Sequence, residues 1–228
     1  MKNLQRFHKL LNESQITKLL NTSVLVIGVG GVGSFAVESL ARSGIKRLVL
    51  VDYDMVDISN LNRQLGALNS TVGLKKIDVL KHRINDINPN IEVITIDTKI
   101  TIDNIDLLFN NDIDYLVDAC DTIETKKEII RQCLKRNIKF ISSMGTGNKF
   151  DPSKLSITDI RKTSYDPIAR IIRKMIKDEH INSKIPVVSS SEKGINIHDR
   201  TPGSNSFVPS SAGLLCASYV INDILKEK

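Results

Sequence analysis

The feature that most narrows the folds open to this chain is a succession of three short segments. The apolar run Val24-Leu-Val-Ile27 leads directly into Gly28-Val-Gly-Gly-Val-Gly33. Ser34–Arg42 follows with a helical rhythm, its apolar positions at Ala36, Val37, Leu40 and Ala41. Strand, glycine turn and helix in immediate succession open a βαβ unit. Gly28, Gly30 and Gly33 fit G-x-G-x-x-G: the first permits the tight turn, the second lets backbone approach phosphate, and the third lets helix and strand pack. The helix N-terminus behind the turn offers N–H groups and a positive dipole to an anion. A glycine turn that only tightens packing would read the same in isolation. Asp52 adds to it: it lies 19 residues beyond Gly33 and closes the run Leu48–Val51, where a carboxylate can accept ribose hydroxyls.

The alternation continues along the chain. Leu10–Leu20 reads as a lead-in helix and Gly44 as the stop of the helix after the glycine turn. Val72–Ile87 reads as a helix halted before Pro89, Ile91–Ile96 as a strand, Ile105–Asn110 as a short helix and Tyr115–Val117 as a strand ending in Asp118. Thr125–Lys135 is a helix and Phe140–Ser143 a strand. Strands apolar on both faces belong to a buried parallel sheet. The order predicts an α/β fold: a doubly wound, Rossmann-like, mostly parallel sheet with helices on both faces and the ligand site at the strands' C-terminal ends. Beyond Gly147, Leu155–Ile160 alternates as a half-buried strand, Asp166–Asp178 is a basic helix, Ser183–Val188 a strand, Ser189–Ser211 a loop and Leu214–Lys226 a final helix. These C-terminal strands and the helix complete the same domain.

Composition bounds the function. No run approaches the roughly 18 apolar residues of a membrane span, and Met1–His8 holds no apolar signal-peptide core; a cytoplasmic protein is expected. Cys120, Cys133 and Cys216 form no C-x-x-C pair, which argues against a zinc ribbon or disulfide scaffold. His8, His82, His180 and His198 make no metal-ligand spacing. A formal charge of +6 permits an anionic partner without requiring one.

A dinucleotide oxidoreductase would satisfy the glycine turn and Asp52. The residues that follow favour a triphosphate instead: Asp52-Tyr-Asp54, then Asn60-Leu-Asn-Arg63-Gln64, then Lys75-Lys76 opening a helix, and Asp118-Ala-Cys-Asp121 closing a strand. Cleaving a triphosphate calls for cations and a carboxylate for the metal. Arg63, Lys76 and Asp121 lie on different elements that can meet at one sheet edge. Taken singly, Arg63 and Lys76 also fit solvated surface charges.

At these residues the sequence resembles the ThiF/MoeB/ubiquitin-activating superfamily of adenylating enzymes, through Gly28–Gly33, Asp52-x-Asp54, Ser59–Gln64, Val72–Lys76 and Asp118-x-x-Asp121. Downstream, Ile87-Asn-Pro89, Asp151–Asp159, Lys162-Thr163, Asp166-Pro167, Val187–Glu192 and Ser206–Gly213 resemble one branch, the tRNA threonylcarbamoyladenosine dehydratases of the TcdA or CsdL type. The resemblance implies one adenylating domain over 1–228, with a helical lead-in at 1–22, a nucleotide-binding core at 23–147 and a substrate-side part at 148–228. It implies that Gly28, Gly30, Gly31 and Gly33 form the phosphate turn, that Asp52 is the ribose ligand, that Asn60, Arg63 and Lys76 hold the triphosphate, that Asp54 and Gln64 belong to the same nucleotide site, and that Asp121 organises magnesium. Arg63, Lys76 and Asp121 are the implied catalytic residues. Relatives reach into a partner subunit with an N-terminal arginine; here Arg6 matches the first basic position and Lys9 stands at the finger-like one.

The implied activity is ATP-dependent cyclisation, a net dehydration, of threonylcarbamoyladenosine in tRNA through a carboxyl-adenylate. The alternative is adenylation of the C-terminus of a ubiquitin-like sulfur-carrier protein. Ser189–Ser211 contains no cysteine, the thiol most relatives use to carry a protein tail, and an intramolecular ring closure needs none. ATP and Mg2+ are the implied cofactors, with a monovalent cation as a further candidate. The implied partners are tRNA, a second copy in a homodimer, and a sulfur-transfer or cysteine desulfurase protein. Arg170, Arg173, Lys174 and Lys177 fall on one face of the Asp166–Asp178 helix and are candidates to track RNA phosphates, although a solvated helix face has the same pattern.

Overall fold

A computed structural model describes residues 4–196 and 201–226; His198 lies outside them. Two short helices, α1 (Gln5–His8) and α2 (Glu13–Leu19), lead into the domain. The lead-in helix predicted from Leu10 starts at Glu13 because Asn12 caps it, its side chain accepting the Gln15 N–H at 2.9 Å. Then come β1 (Ser23–Ile27), α3 (Gly33–Arg42), β2 (Arg47–Val51), α4 (Lys76–Ile87), β3 (Glu92–Ile96), β4 (Tyr115–Asp118), α5 (Ile123–Arg136), β5 (Lys139–Ser143), β6 (Leu155–Asp159), α6 (Pro167–Asp178), β7 (Pro186–Ser190) and α7 (Phe207–Leu225). Single 3-10 turns sit at Ile58–Asn60, Ile105–Phe109, Pro152–Lys154 and Ile160–Lys162.

The strands form one seven-stranded sheet in the order β3-β2-β1-β4-β5-β7-β6. All pairings are parallel except β6 with β7, where Leu155 opposes Ser190. This is the expected doubly wound α/β architecture. β1 is buried throughout, as its unbroken apolar run predicts. One face is covered by α3, α4 and α7, with Leu40, Leu80, Ala212 and Val220 in its core. The other is covered by α5 and α6, with Ile129, Ile172 and Ile176.

Two boundaries differ from expectation. α4 starts at Lys76 and not Val72, because Val72–Lys75 forms a turn with Gly73 at φ 85° and Lys75 in an extended conformation. α7 starts at Phe207, inside the stretch read as loop, because Asn205 accepts the Phe207 and Val208 N–H groups and Pro209 fits a first turn. Cys216 therefore lies within α7 and does not open it. Among the described residues α7 alone has the length and apolarity of a membrane span. Its Val208, Ala212, Cys216 and Val220 are buried in the core against α3 and the sheet, so its apolarity has a place within the fold.

The largest fully buried side chain is a lysine. Lys126, on the first turn of α5, sits beneath the sheet edge and pairs with Asp118 at 2.8 Å. Its ammonium also donates to Ser142 Oγ (3.2 Å) and the Ser143 carbonyl (3.0 Å), while Ser142 donates to Asp118 at 2.6 Å. Burial alone would push the lysine pKa down; the Asp118 carboxylate outweighs it and holds the ammonium charged.

Candidate nucleotide site at the sheet's switch point

Strand order reverses between β1, which is followed by its neighbour β2 on one side, and β4 on the other. Crevices in open α/β sheets lie outside the strands' C-terminal ends at such a point. A cavity of ≈ 340 Å³ occupies this place, lined by the glycine turn and the ends of β1, β2 and β4.

The turn is set by two tight contacts. Gly28 has φ 80°, and a methyl there would lie 2.7 Å from the Ala119 carbonyl oxygen. A methyl on Gly33 would come within 1.8 Å of the Gly28 carbonyl oxygen. Neither position accepts a side chain without moving backbone. No side chain caps α3; the Ser34 N–H is taken by the Gly30 carbonyl at 3.0 Å, and Gly30, Gly31 and Val32 line the cavity just ahead of the helix.

Asp52, at the end of β2, is buried and organises the wall. Its Oδ2 accepts the Val29 N–H at 2.8 Å and its Oδ1 the Asp54 N–H at 2.9 Å. Burial raises its pKa, against the pull of those amides and of the Lys76 charge. Asp54 pairs with Lys76 at 2.7 Å. Lys76 is buried and not a solvated charge. Asn60 is buried too, and its side chain accepts the Asp57 N–H at 3.1 Å, which fixes the 3-10 turn that carries Arg63. Arg63 Nη1 donates to the Ser59 carbonyl and the Asn62 side chain, both at 2.8 Å. The rest of its guanidinium fork is left for a phosphate.

Asp121 is exposed at the cavity wall and accepts from the Thr122 hydroxyl at 3.4 Å. Gly28, Gly30, Gly31, Asp52, Asp54, Asn60, Arg63, Gln64, Lys76 and Asp121 all line this one cavity. Gly33 stands just behind, closing the turn. The sequence reading did not single out Lys99, Thr125, Thr146, Ser204 and Pro209, which also line the cavity. Lys99 follows β3, whose C-terminal end must face the same crevice, and that topology was the only signal for it. Ser204 and Pro209 precede and open α7, a long-range approach with no local signature.

Other candidates fall elsewhere. Arg6 and Lys9 are exposed on or beside α1 and do not line the cavity. On α6, Arg170, Lys174 and Lys177 are exposed, but Arg173 folds back and donates to the Thr163 carbonyl at 3.0 Å. Cys133 and Cys216 are buried in the cores, and burial pushes the Cys216 thiol up to about 12. Cys120 lines the cavity, yet burial and then Asp118 hold its thiol well above the ordinary range. No group of three or more His, Cys, Asp or Glu able to hold a metal exists among the described residues.

The ThiF family profile matches residues 2–163. The chain is 45% identical over 234 residues to the tRNA threonylcarbamoyladenosine dehydratase of Bacillus subtilis (strain 168), covering 95% of this chain and 92% of that protein. It is 34% identical over 209 residues to the Escherichia coli (strain K12) protein of the same name, covering 92% and 76%. The crystal structure of E. coli tRNA N6-threonylcarbamoyladenosine dehydratase, TcdA, in complex with ATP superposes with a TM-score of 0.92 at 30% identity, covering 98% of this chain and 93% of that one.

Proposed function

The chain belongs to the ThiF family, and from that premise we propose that it uses ATP to cyclise threonylcarbamoyladenosine in tRNA. The observation that carries this is the convergence of Asp52, Arg63, Lys76 and Asp121 on one cavity at the switch point. In this reading residues 23–147 form the nucleotide-binding core and 148–228 the substrate-side part, which also lends Ser204 and Pro209 to the nucleotide cavity.

The glycine turn and α3 take the phosphates, and Asp52 takes the ribose. The threonine carboxylate of the substrate attacks the α-phosphate and pyrophosphate leaves. Arg63 and Lys76 stabilise the charge that develops on the phosphate oxygens. A carbamoyl atom next attacks the activated carbonyl, closing a five-membered ring and releasing AMP; the nucleoside has lost water. The second step is intramolecular and needs little from the protein beyond holding the two groups in line.

Asp121 is the exposed carboxylate on the cavity wall with no cationic partner, Asp54 being paired with Lys76 and Asp52 buried on backbone amides; with no cluster of acidic ligands among the described residues, this fits Mg2+ that arrives on a triphosphate and keeps most of its water. Asp121 would hold it, and the ion would neutralise phosphate charge. Asp121→Asn should therefore raise the magnesium concentration needed for half-maximal rate; an unchanged titration would give Asp121 a different role. A monovalent cation and a sulfur-transfer or cysteine desulfurase partner are not assigned to residues of this chain. A homodimer would be the source of any trans contribution from Arg6 or Lys9.

The burial of Cys133 and Cys216, and the raised pKa of the Cys120 thiol at the cavity wall, support a mechanism without covalent carriage. A variant with Cys120, Cys133 and Cys216 all replaced by Ala should still cyclise modified tRNA, read by nucleoside analysis under mild hydrolysis. Loss of activity in a folded Cys120→Ala or Cys216→Ala variant would demand a covalent intermediate.

The exposed cations of α6 are proposed to meet RNA phosphates. Because Arg173 is held by Thr163, Arg170, Lys174 and Lys177 carry the contact. Changing those three to Gln should lower the log–log salt slope of tRNA binding by about 2–3 and leave ATP binding alone. An unchanged slope would return this face to solvent. The whole reading is tested by tRNA from cells lacking the gene: the cyclised nucleoside should vanish and its open precursor accumulate.

A further inference from the structure

Two exposed aromatic rings are carried by segments that adjoin the cavity. Phe150 is 61% exposed and Phe207 42%. Their centroids are 6.3 Å apart with planes tilted by 48°. Both are carried by backbone that is wired together. The Glu192 carboxylate accepts the Phe150 and Asp151 N–H groups, each at 2.9 Å. Asn205 accepts the Phe207 N–H at 3.2 Å and donates to the Lys149 carbonyl at 2.7 Å, joining the two segments directly. Asn148 and Gly203 exchange two more bonds at 2.8 and 2.7 Å. Exposed rings on so fixed a frame are prepositioned.

Their place is the rim of the nucleotide site. Thr146 lines the cavity a few residues before Phe150, and Ser204 and Pro209 line it on either side of Phe207. We propose that Phe150 and Phe207 form a stacking platform for an unpaired nucleobase flanking the modified adenosine, an inference that rests on tRNA being the substrate.

For the substrate carboxylate to reach an α-phosphate inside the cavity, its nucleotide must enter and its neighbours in the RNA chain must cross this rim. Unstacked bases in RNA loops are held on aromatic faces. Two of the charged groups nearby are committed: Glu192 serves backbone amides, and Lys149 donates to the Gly145 carbonyl at 2.7 Å beside Asp166. Arg63 on the same cavity wall remains for phosphate, and the rings add π faces at the rim. Its surroundings, Asn148, Ser204 and Asn205, are polar, unlike the apolar centre of a subunit contact. The tilt between the rings suits one base, stacked on one ring with its edge against the other.

The test uses the full chain and an anticodon stem-loop bearing the modified adenosine, with 2-aminopurine at the nucleotide on either side. Binding to the wild type should quench one of the two probes. Phe150→Ala and Phe207→Ala should lose that quenching and raise KM for the stem-loop about tenfold, with kcat and KM for ATP within about twofold. Phe150→Tyr and Phe207→Tyr should restore both signals. Unchanged KM and quenching in the Ala variants would overturn the platform, and so would full rescue by Leu, which fills space without stacking. A fall in oligomer mass in the Ala variants would overturn it in favour of a subunit contact. A wild-type chain that fails to cyclise the stem-loop would overturn the tRNA reading itself, and it would do so before any variant is compared.

Discussion

Lys76→Ala should lower adenylate formation by about 10²–10³-fold and leave the fold intact. Losing one preorganised donor at a site of developing charge costs about 3 kcal/mol or more in the transition state. The effect on folding is of a different size. The partner of Lys76 is Asp54, which is 47% exposed, and a pair with one member this open to water contributes on the order of 1 kcal/mol. Removing the lysine leaves a carboxylate that water can solvate. Arg63→Ala should behave alike, because the turn beneath it is fixed by Asp57 and Asn60 and not by the guanidinium. Release of AMP and pyrophosphate at saturating ATP measures the first effect, and a urea titration the second. Near-normal turnover by either variant would sink the assignment of the cations.

The second large effect is on stability. Lys126→Met strands Asp118, fully buried, without its counter-charge. Breaking one side of a buried pair costs about 3–5 kcal/mol, or about 6–20 °C in Tm for a domain of this size. Pairing Lys126→Met with Asp118→Leu should recover much of that loss, since the expense lies in the uncompensated charge. The double variant should still be impaired in activity: Asp118 Oδ1 accepts the Cys120 N–H at 3.2 Å and so shapes the loop that backs Gly28 and presents Asp121. A Lys126→Met protein as stable as the parent would mean that the pair contributes nothing.

These two residues also mark how far sequence reading reaches. Lys76 is singled out because it stands in a run of local signals: the glycine turn, Asp52, the Asn60–Gln64 turn and a helix start; the structure brings it to the same cavity as those signals. Each of those is set by backbone rules acting over a few residues. Its burial was not legible, since a lysine at a helix start is ordinarily solvated. Lys126 gave no signal at all. What buries it is the packing of α5 against β4 and β5, and nothing local distinguishes it from its neighbour Lys127, which is part-exposed and pairs with Glu124. The start of α7 was misread for a related reason. Ser206–Ser211 has loop composition, and only the Asn205 side chain and the tolerance of Pro209 in a first turn make it helical. Phe150 and Phe207 were invisible as a pair, because their meeting depends on Asn148 and Asn205 bridging two distant segments.

The cavity draws its walls from opposite ends of the chain, Gly28–Gly31 on one side and Ser204 and Pro209 on the other. A ribosome delivers these in order, at roughly 5–20 residues per second. The glycine turn, Asp52 and Lys76 thus emerge seconds before the segment that encloses them. During that interval the nascent protein has the residues for gripping a nucleotide but no finished chamber in which to use one. Closure of the chamber waits for α7 to settle on α3, and a polypeptide interrupted before that point lacks one of its walls.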